Sequence, residues 1–393
     1  MRNRDIVMTG LQNFYGESGS NAVNIAWKFA EKNRVLYVNY PLDRSTVLRH
    51  RKNPGVAQRL QDIKAGNSGL KKAAENLWVL NPPVILESVS RIPYALLFNF
   101  LTRINNKRYA KAIRGAMDEL GMQNIVLFED SDIYRTVYLK ELLSPRLFVY
   151  YSRDNMTATR FYRHHGKRME KEIMAKADAV LCNSQYLADL ASQHNPRSFN
   201  VGQGVDLSLF REQESLGQGT EQTVIGYAGA LNANRLDIDL ISHLAKAKPE
   251  WKIELVGPED ESFKNSELHN LSNVVFRGKQ PMDTIPAFIQ QWDVTINPQQ
   301  LNDVTIGNYP RKIDEYLAMG KPVVAVETET MKMFEEVVFL AGDYEEFVEA
   351  CERALLQKNE NTEKRKTVAR SHTWDENIKR IYEVIEQIEK QKQ

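Results

Sequence analysis

Short apolar runs alternate with stretches whose apolar residues recur at helical spacing. "DIVMT" (5–9) is an apolar run that ends on Gly10 and suits a buried strand. A polar, glycine-bearing loop follows, "GLQNFYGESGSN", then "AVNIAWKFAEKN" with helical periodicity and "RVLYVNYP" as a second strand. "NIVLFED" (124–130), "RLFVYYS" (146–152) and "DAVLCNS" (178–184) are further β-rich runs separated by helical segments. This spacing predicts βαβ units and a parallel sheet.

The pattern breaks at 211–222, "REQESLGQGTEQ", which is polar and aperiodic and reads as a linker or surface loop. The alternation then restarts. "TVIGYAG", "WKIELVGP", "NVVFRG", "WDVTINP" and "KPVVAV" read as strands, and "DIDLISHLAKAKP", "DTIPAFIQQ" and "YPRKIDEYLAMG" as helices. The tail places Ile378, Ile381, Tyr382, Ile385 and Ile388 on one helical face. The predicted domains are 1–210, 223–372 and a closing helix over 373–393, with a cleft between two α/β domains. In such sheets ligands bind beyond the carboxyl ends of the strands.

At 393 residues the chain is long for a single core, in keeping with two domains. Its 42% hydrophobic and 26% charged residues describe an ordinary soluble chain. A net charge of +1 gives no global field for nucleic acid. Cys182 and Cys351 allow no disulfide framework or CxxC metal site, and a reducing cytosol is the simplest compartment. The N-terminal stretch has no signal-peptide core, and "IPYALLFNFL" (92–101) is too short to cross a bilayer. The expectation is a cytoplasmic protein.

"TIGNYPRKIDEYLAMGKPVVAV" (305–326) carries the most specific chemistry. Asn308 is a predicted helix cap and Pro310 suits the first turn. Arg311 and Lys312 then fall at the end of the helix that disfavours cations, unless an anion binds there. Glu315 shares a helical face with Lys312. A ligand with both phosphate and hydroxyls would use both side chains, whereas a solvated surface ion pair would use neither. Upstream, Gly226 and Gly229 of "IGYAGALNANRLDIDL" close a strand and would let backbone amides approach a pyrophosphate, with Arg235 as an added charge. A plain strand-to-helix connection is the alternative. The N-terminal loop, with Gly10, Gly16 and Gly19, lacks a lysine for phosphate and reads as a loop at the cleft.

Five blocks in order resemble GT-B glycosyltransferases, close to the family 4 group. They are "NVGQGVDLSLF" (200–210), "IGYAGAL", "NVVFRGKQPMDTIPAFIQQWDVTINP", "PRKIDEYLAMGKPVVAV" and "HTWDENIKRIYEVI". "YYSRDNMTATRFYRHHGKRMEKEIMAKADAVLCNS" is similar to bacterial transferases of teichuronic acid and exopolysaccharide assembly. The resemblance implies two Rossmann-like parallel-sheet domains facing a cleft. The N-terminal domain would take the acceptor, the C-terminal domain a UDP- or GDP-sugar, and the last helix would cross back to the N-terminal domain. It implies Glu315 on the donor ribose, and Lys312 and Arg311 at the diphosphate. Gly229 and Ala230 would form the phosphate loop, with Arg235 as a further contact and Gly278 and Lys279 near the base. One position departs from the family pattern: Gly307 stands eight residues before Glu315, where many members carry a sugar-facing glutamate. Backbone amides around Ile306 to Asn308 are the expected substitute.

Departure of the nucleoside diphosphate would be helped mainly by positive charge, so no metal or other cofactor is expected. No metal-ligand spacing is visible, His164–His165 included. Asp154 is the first candidate base for an acceptor hydroxyl, or else a helix cap, and Glu129 and Asp130 are second candidates. His164 and His165 lie in a basic helix and are weaker ones. Arg91, Arg103, Lys107, Arg108, Lys111 and Arg114 flank the apolar 92–101 run. Arg160, Arg163, Lys167 and Arg168 interleave with Phe161 and Tyr162. Such groups suit an anionic membrane surface and a lipid-linked or polysaccharide acceptor at the inner face of the cell membrane. A core-packed helix with a solvated cationic face is the alternative. A non-catalytic nucleotide-sugar-binding scaffold and a nucleotide-sugar epimerase are the rival functions. A dinucleotide oxidoreductase is disfavoured by the lack of GxGxxG.

Overall fold

The computed structural model describes residues 1–16, 21–211, 222–303 and 305–392. The chain forms two units, Met1–Gly202 with Asn377–Gln393, and Gln203–Glu376.

The first unit is built on β1 (Asp5–Gly10), β2 (Arg34–Val38), β3 (Leu42–Asp43), β4 (Leu70–Ala74), β5 (Leu77–Leu80), β6 (Ile85–Leu86), β7 (Val126–Asp130), β8 (Leu147–Ser152), β9 (Ala179–Cys182) and β10 (Ser198–Asn200). Its main sheet has the order β10-β9-β8-β7-β1-β2-β5-β4, and β3 pairs separately with β6. All neighbours in the main sheet run parallel except β4 and β5. β7 and β8 are buried along their whole length, which is why they appear in sequence as continuous apolar runs rather than alternating ones. The hairpin β4–β5 was not among the predicted strands. Lys71 and Lys72 interrupt its apolar pattern because β4 lies at the sheet edge, where lysine also discourages further pairing.

The second unit contains β11 (Val224–Ala228), β12 (Lys252–Val256), β13 (Val274–Phe276), β14 (Val294–Asn297), β15 (Val323–Val326) and β16 (Val338–Ala341). Their order, β13-β12-β11-β14-β15-β16, is all parallel and reverses direction between β11 and β14. This is the Rossmann order, and its reversal point is where such sheets receive ligands. Gly226, predicted as part of a phosphate turn, instead lies inside β11. A Cβ there would stand 1.8 Å from the Trp292 ring, so this glycine exists for packing.

The closing helix spans Trp374–Gln391, and from Asn377 onward it belongs to the first unit. Asn377 donates to the carbonyls of Val201 and Gly202, Tyr382 stacks on Phe29, and Arg4 pairs with Glu389. The predicted linker falls mostly on residues 212–221, outside the described residues, as does Gly19 of the N-terminal loop.

Candidate functional site

At the reversal point of the second sheet, three glycines leave neighbouring strands with positive φ: Gly229 (+151°) after β11, Gly257 (+152°) after β12 and Gly278 (+64°) after β13. They are interlocked. The Gly229 N–H donates to the Val256 carbonyl, and the Gly257 N–H to the Gly278 carbonyl. A Cβ on Gly257 would sit 1.8 Å from the Gly229 oxygen, so the two turns approach as only glycines allow. Ala230 is exposed, and its N–H makes no hydrogen bond to a described residue. It remains available to an incoming acceptor oxygen.

The helix Lys312–Ala318 follows β14 and is tied to this turn. The Tyr316 hydroxyl accepts from the Ala228 N–H at 2.8 Å. Lys312 lies against Gly229: a Cβ built there would stand 3.2 Å from Lys312 Cε, and the ammonium sits 5.1 Å from the centre of the Tyr227 ring. The Glu315 carboxylate, one turn on, has neither a hydrogen bond nor an ion pair with a described residue. Burial raises its pKa, opposed by the charges of Arg311 and then Lys312. A lysine and a carboxylate on one helical face that do not pair with each other are both free for a ligand. The surface ion-pair alternative is therefore set aside for Lys312 and Glu315.

Two expectations about this helix are corrected. Asn308 does not cap it: Arg311 occupies the cap position with no side-chain bond, and the Asn308 N–H turns back to the Thr305 carbonyl. The free amides expected in the first turn are also partly used. Ile313 N–H bonds Pro310, and Asp314 and Glu315 N–H both bond Arg311. What remains at this end of the helix to meet an anion is the Arg311 and Lys312 side chains with their own N–H groups. Nor do the amides of Ile306 and Asn308 stand in for the missing glutamate at Gly307, because they bond the carbonyls of Asn302 and Thr305.

A buried network behind the helix was missed from sequence. Asp314 is fully buried, and its carboxylate receives the Tyr309 hydroxyl at 2.7 Å and His372 Nδ1 at 2.8 Å. Burial raises the Asp314 pKa, and His372 and then Tyr309 oppose the rise. The signal was weak, since Asp314 sits in a helical run of charges and His372 lies far along the chain. Gly257 and Tyr227 were also missed, although "LVGP" does end a strand in glycine.

The remaining candidates are less concentrated. Arg235 is exposed and unpaired among the described residues, and its carbonyl accepts from the Gln300 N–H, which anchors it to the segment after β14. Lys279 is exposed beside Gly278. Asp154 belongs to the first unit, beyond β8, where its carboxylate lies 3.6 Å from Arg153 and its carbonyl accepts from Met156 N–H. The short helix there is preceded by Asn155, so Asp154 is not its cap.

Glu129 and Asp130 are fully buried at the end of β7. Asp130 pairs with Arg153 at 2.8 Å, and burial raises its pKa against that arginine. Glu129 receives the Asp132 N–H, and burial together with the Asp132 charge pushes its pKa up. Both carboxylates keep one buried oxygen without a partner. His165 is a packing residue, stacked on Phe98 and bonded to the Ile92 carbonyl at 3.0 Å. Among the described residues no group of three or more His, Cys, Asp or Glu side chains could hold a metal, and no helix is long and apolar enough to cross a membrane.

Residues 222–357, which contain the glycine turns and the Lys312–Glu315 helix, match the family of group 1 glycosyl transferases. The chain carries a group 1 glycosyl transferase domain. The chain is also 32% identical over 234 residues to the Bacillus subtilis protein TuaH, named as a teichuronic acid biosynthesis glycosyltransferase. That match spans 55% of this chain and 58% of TuaH, little more than half of either. The fold is GT-B. A sucrose-phosphate synthase from Thermosynechococcus elongatus superposes with a TM-score of 0.68 at 14% identity, covering 98% of this chain and 99% of that one. Anabaena HepE, solved with UDP, superposes with a TM-score of 0.67 at 16% identity, covering 98% and 100%. The interlocked glycines and the Lys312–Glu315 helix lie within the matched residues, at the point of strand-order reversal where sheets of this kind receive ligands.

Proposed function

We propose that the chain is a glycosyltransferase that moves a sugar from a nucleoside-diphosphate sugar to an acceptor hydroxyl in cell-surface polysaccharide assembly. The observation that carries this reading is the pairing of Lys312 with the Gly229 turn, with Glu315 unpaired one helical turn away. A nucleoside diphosphate has both chemistries required: phosphates for Lys312, Arg311 and the Ala230 N–H, and ribose hydroxyls that donate to Glu315. As the acceptor oxygen bonds to the anomeric carbon, the bond from that carbon to the phosphate oxygen breaks and the diphosphate gathers charge. Lys312 and Arg311 stabilise that charge more in the transition state than in the ground state, the condition for catalysis. Protein cations, not a metal, supply this neutralisation.

The complexes of HepE with UDP and with UDP-glucose support UDP as the nucleotide. The name of TuaH supports an anionic wall polysaccharide or its lipid-linked precursor as acceptor. Asp154 is the proposed base, working at the cytoplasmic face of the membrane. The test is a panel of UDP- and GDP-sugars with and without a polyprenyl-linked glycan acceptor, following nucleotide release and product mass. Acceptor-dependent release of UDP supports the reading. Tight UDP binding with no release from any donor would instead mark a binding protein, and an altered nucleotide sugar without acceptor an epimerase.

A further inference from the structure

Three connections of the first unit enclose a cavity of about 660 Å³: segment 43–50 after β2 and β3, segment 88–91 after β5 and β6, and segment 160–163 after β8. β2, β5 and β8 are parallel strands of the main sheet, so these connections leave its carboxyl end, the side on which such sheets receive ligands. Two of the walls are joined directly, because the Ser45 N–H donates to the Ser88 hydroxyl at 2.9 Å. The cavity is lined by Arg49, His50, Arg91, Arg160, Phe161 and Arg163, with serine and threonine hydroxyls from segments 45–46 and 88–90. Asp43 is the one carboxylate in the wall, and it is already engaged in capping the helix Arg44–His50 through the Thr46 N–H. Glu87, the residue before Ser88, is held by Arg44 and Arg108.

Arg49, Arg91 and Arg160 have no ion pair with any described residue. Cations gathered around one cavity without a counter-charge repel each other, and an anion filling the cavity removes that cost. A guanidinium offers two parallel N–H donors, which suit the paired oxygens of a carboxylate as well as those of a phosphate. Phe161 separates the two. Its ring is 41% exposed in the cavity wall and rests on Tyr134 and Tyr162, with centroids 5.7 and 4.8 Å away. A bare phosphate gains nothing from such a ring. A pyranose does, because its C–H face is apolar and leaves water on a flat aromatic surface while its hydroxyls turn to polar neighbours. An acidic sugar has all three matching characters: a carboxylate for the arginines, hydroxyls for the serines and threonine, and a C–H face for Phe161. The volume falls within the about 300–1,000 Å³ of cavities that take small ligands.

We propose that this cavity holds an acidic sugar unit of the acceptor, with the uronate carboxylate on Arg49, Arg91 and Arg160 and the sugar ring against Phe161. This use of the cavity rests on the anionic glycan acceptor proposed above and narrows it to one that contains a uronate. None of these residues belongs to the donor site. The test is calorimetric titration of the full chain with hyaluronan tetrasaccharide and with trigalacturonate, each against its neutral methyl ester, and with inorganic phosphate. At least one acid is expected to bind the wild type about tenfold tighter than its ester. R49A/R91A/R160A should bind acid and ester alike. Phe161→Leu should weaken the acid about threefold while keeping its preference over the ester. No preference for either acid in the wild type, or an undiminished preference in the arginine variant, overturns the proposal. Phosphate binding without a preference for acid over ester assigns the cavity to a phosphate and overturns the uronate assignment. Unchanged acid binding in Phe161→Leu takes the ring out of the site and overturns the sugar assignment. Titration with UDP, expected to be unchanged in both variants, checks their folding. A wild type that prefers an acid over its ester but does not bind UDP would sustain the cavity and count against the donor site alone.

Discussion

Lys312 and Gly229, far apart in sequence, meet where the strand order of the second unit reverses: a Cβ on Gly229 would come within 3.2 Å of Lys312 Cε and 2.8 Å of the Tyr227 hydroxyl. Alanine at this position would be strained by its φ of +151° and would also push the lysine off the turn. Gly229→Ala should weaken UDP binding at least tenfold, about 1.4 kcal/mol, by calorimetry. Gly257→Ala meets the rigid carbonyl of Gly229 rather than a movable side chain. It should cost more in stability, on the order of 3 kcal/mol in urea denaturation.

Removing His372 leaves the buried Asp314 carboxylate with the Tyr309 hydroxyl as its one side-chain partner among the described residues. His372→Ala should destabilise the protein by roughly 3 kcal/mol, because a buried charge that loses its partner keeps its desolvation cost. UDP affinity should fall as well, since Asp314 is the helical neighbour of Glu315, the proposed ribose contact. A variant with unchanged unfolding free energy would show that the network does not anchor the helix.

Glu315 links affinity and stability with opposite signs. Burial raises its pKa, so the folded state holds the proton more tightly than the unfolded chain does. Its contribution to stability is therefore fullest below the unfolded value of roughly 4.3 and is lost as pH rises through the raised folded value. Glu315→Gln should thus melt higher than wild type at neutral pH, with the difference closing in acid. UDP binding should run the other way. Wild-type affinity should begin to fall with acid above the ordinary glutamate range, as the acceptor for the ribose hydroxyls is protonated, and the glutamine variant should bind weakly and with a flat profile.

Much of this was visible in sequence, because fully buried parallel strands leave continuous apolar runs and the 305–326 stretch concentrates charge where a helix disfavours it. What was hidden depended on partners distant in the chain. Gly226 looked like a phosphate-turn glycine until Trp292 was found packed on it. Asn308 had the composition of a cap, but the Thr305 carbonyl takes its N–H and the helix starts later, at Lys312. The edge hairpin β4–β5 was concealed by its lysines, and the Asp314–His372 pair joins residues that no local pattern connects.

Lys312 and Glu315 are proposed to hold the diphosphate and the ribose of one nucleotide. Calorimetric titration with UDP of wild type, Lys312→Ala, Glu315→Ala and the double variant tests it most directly. Each single variant should lose at least tenfold in affinity and the double variant should show no detectable binding, with circular dichroism unchanged throughout. Wild-type affinity in the double variant would contradict it.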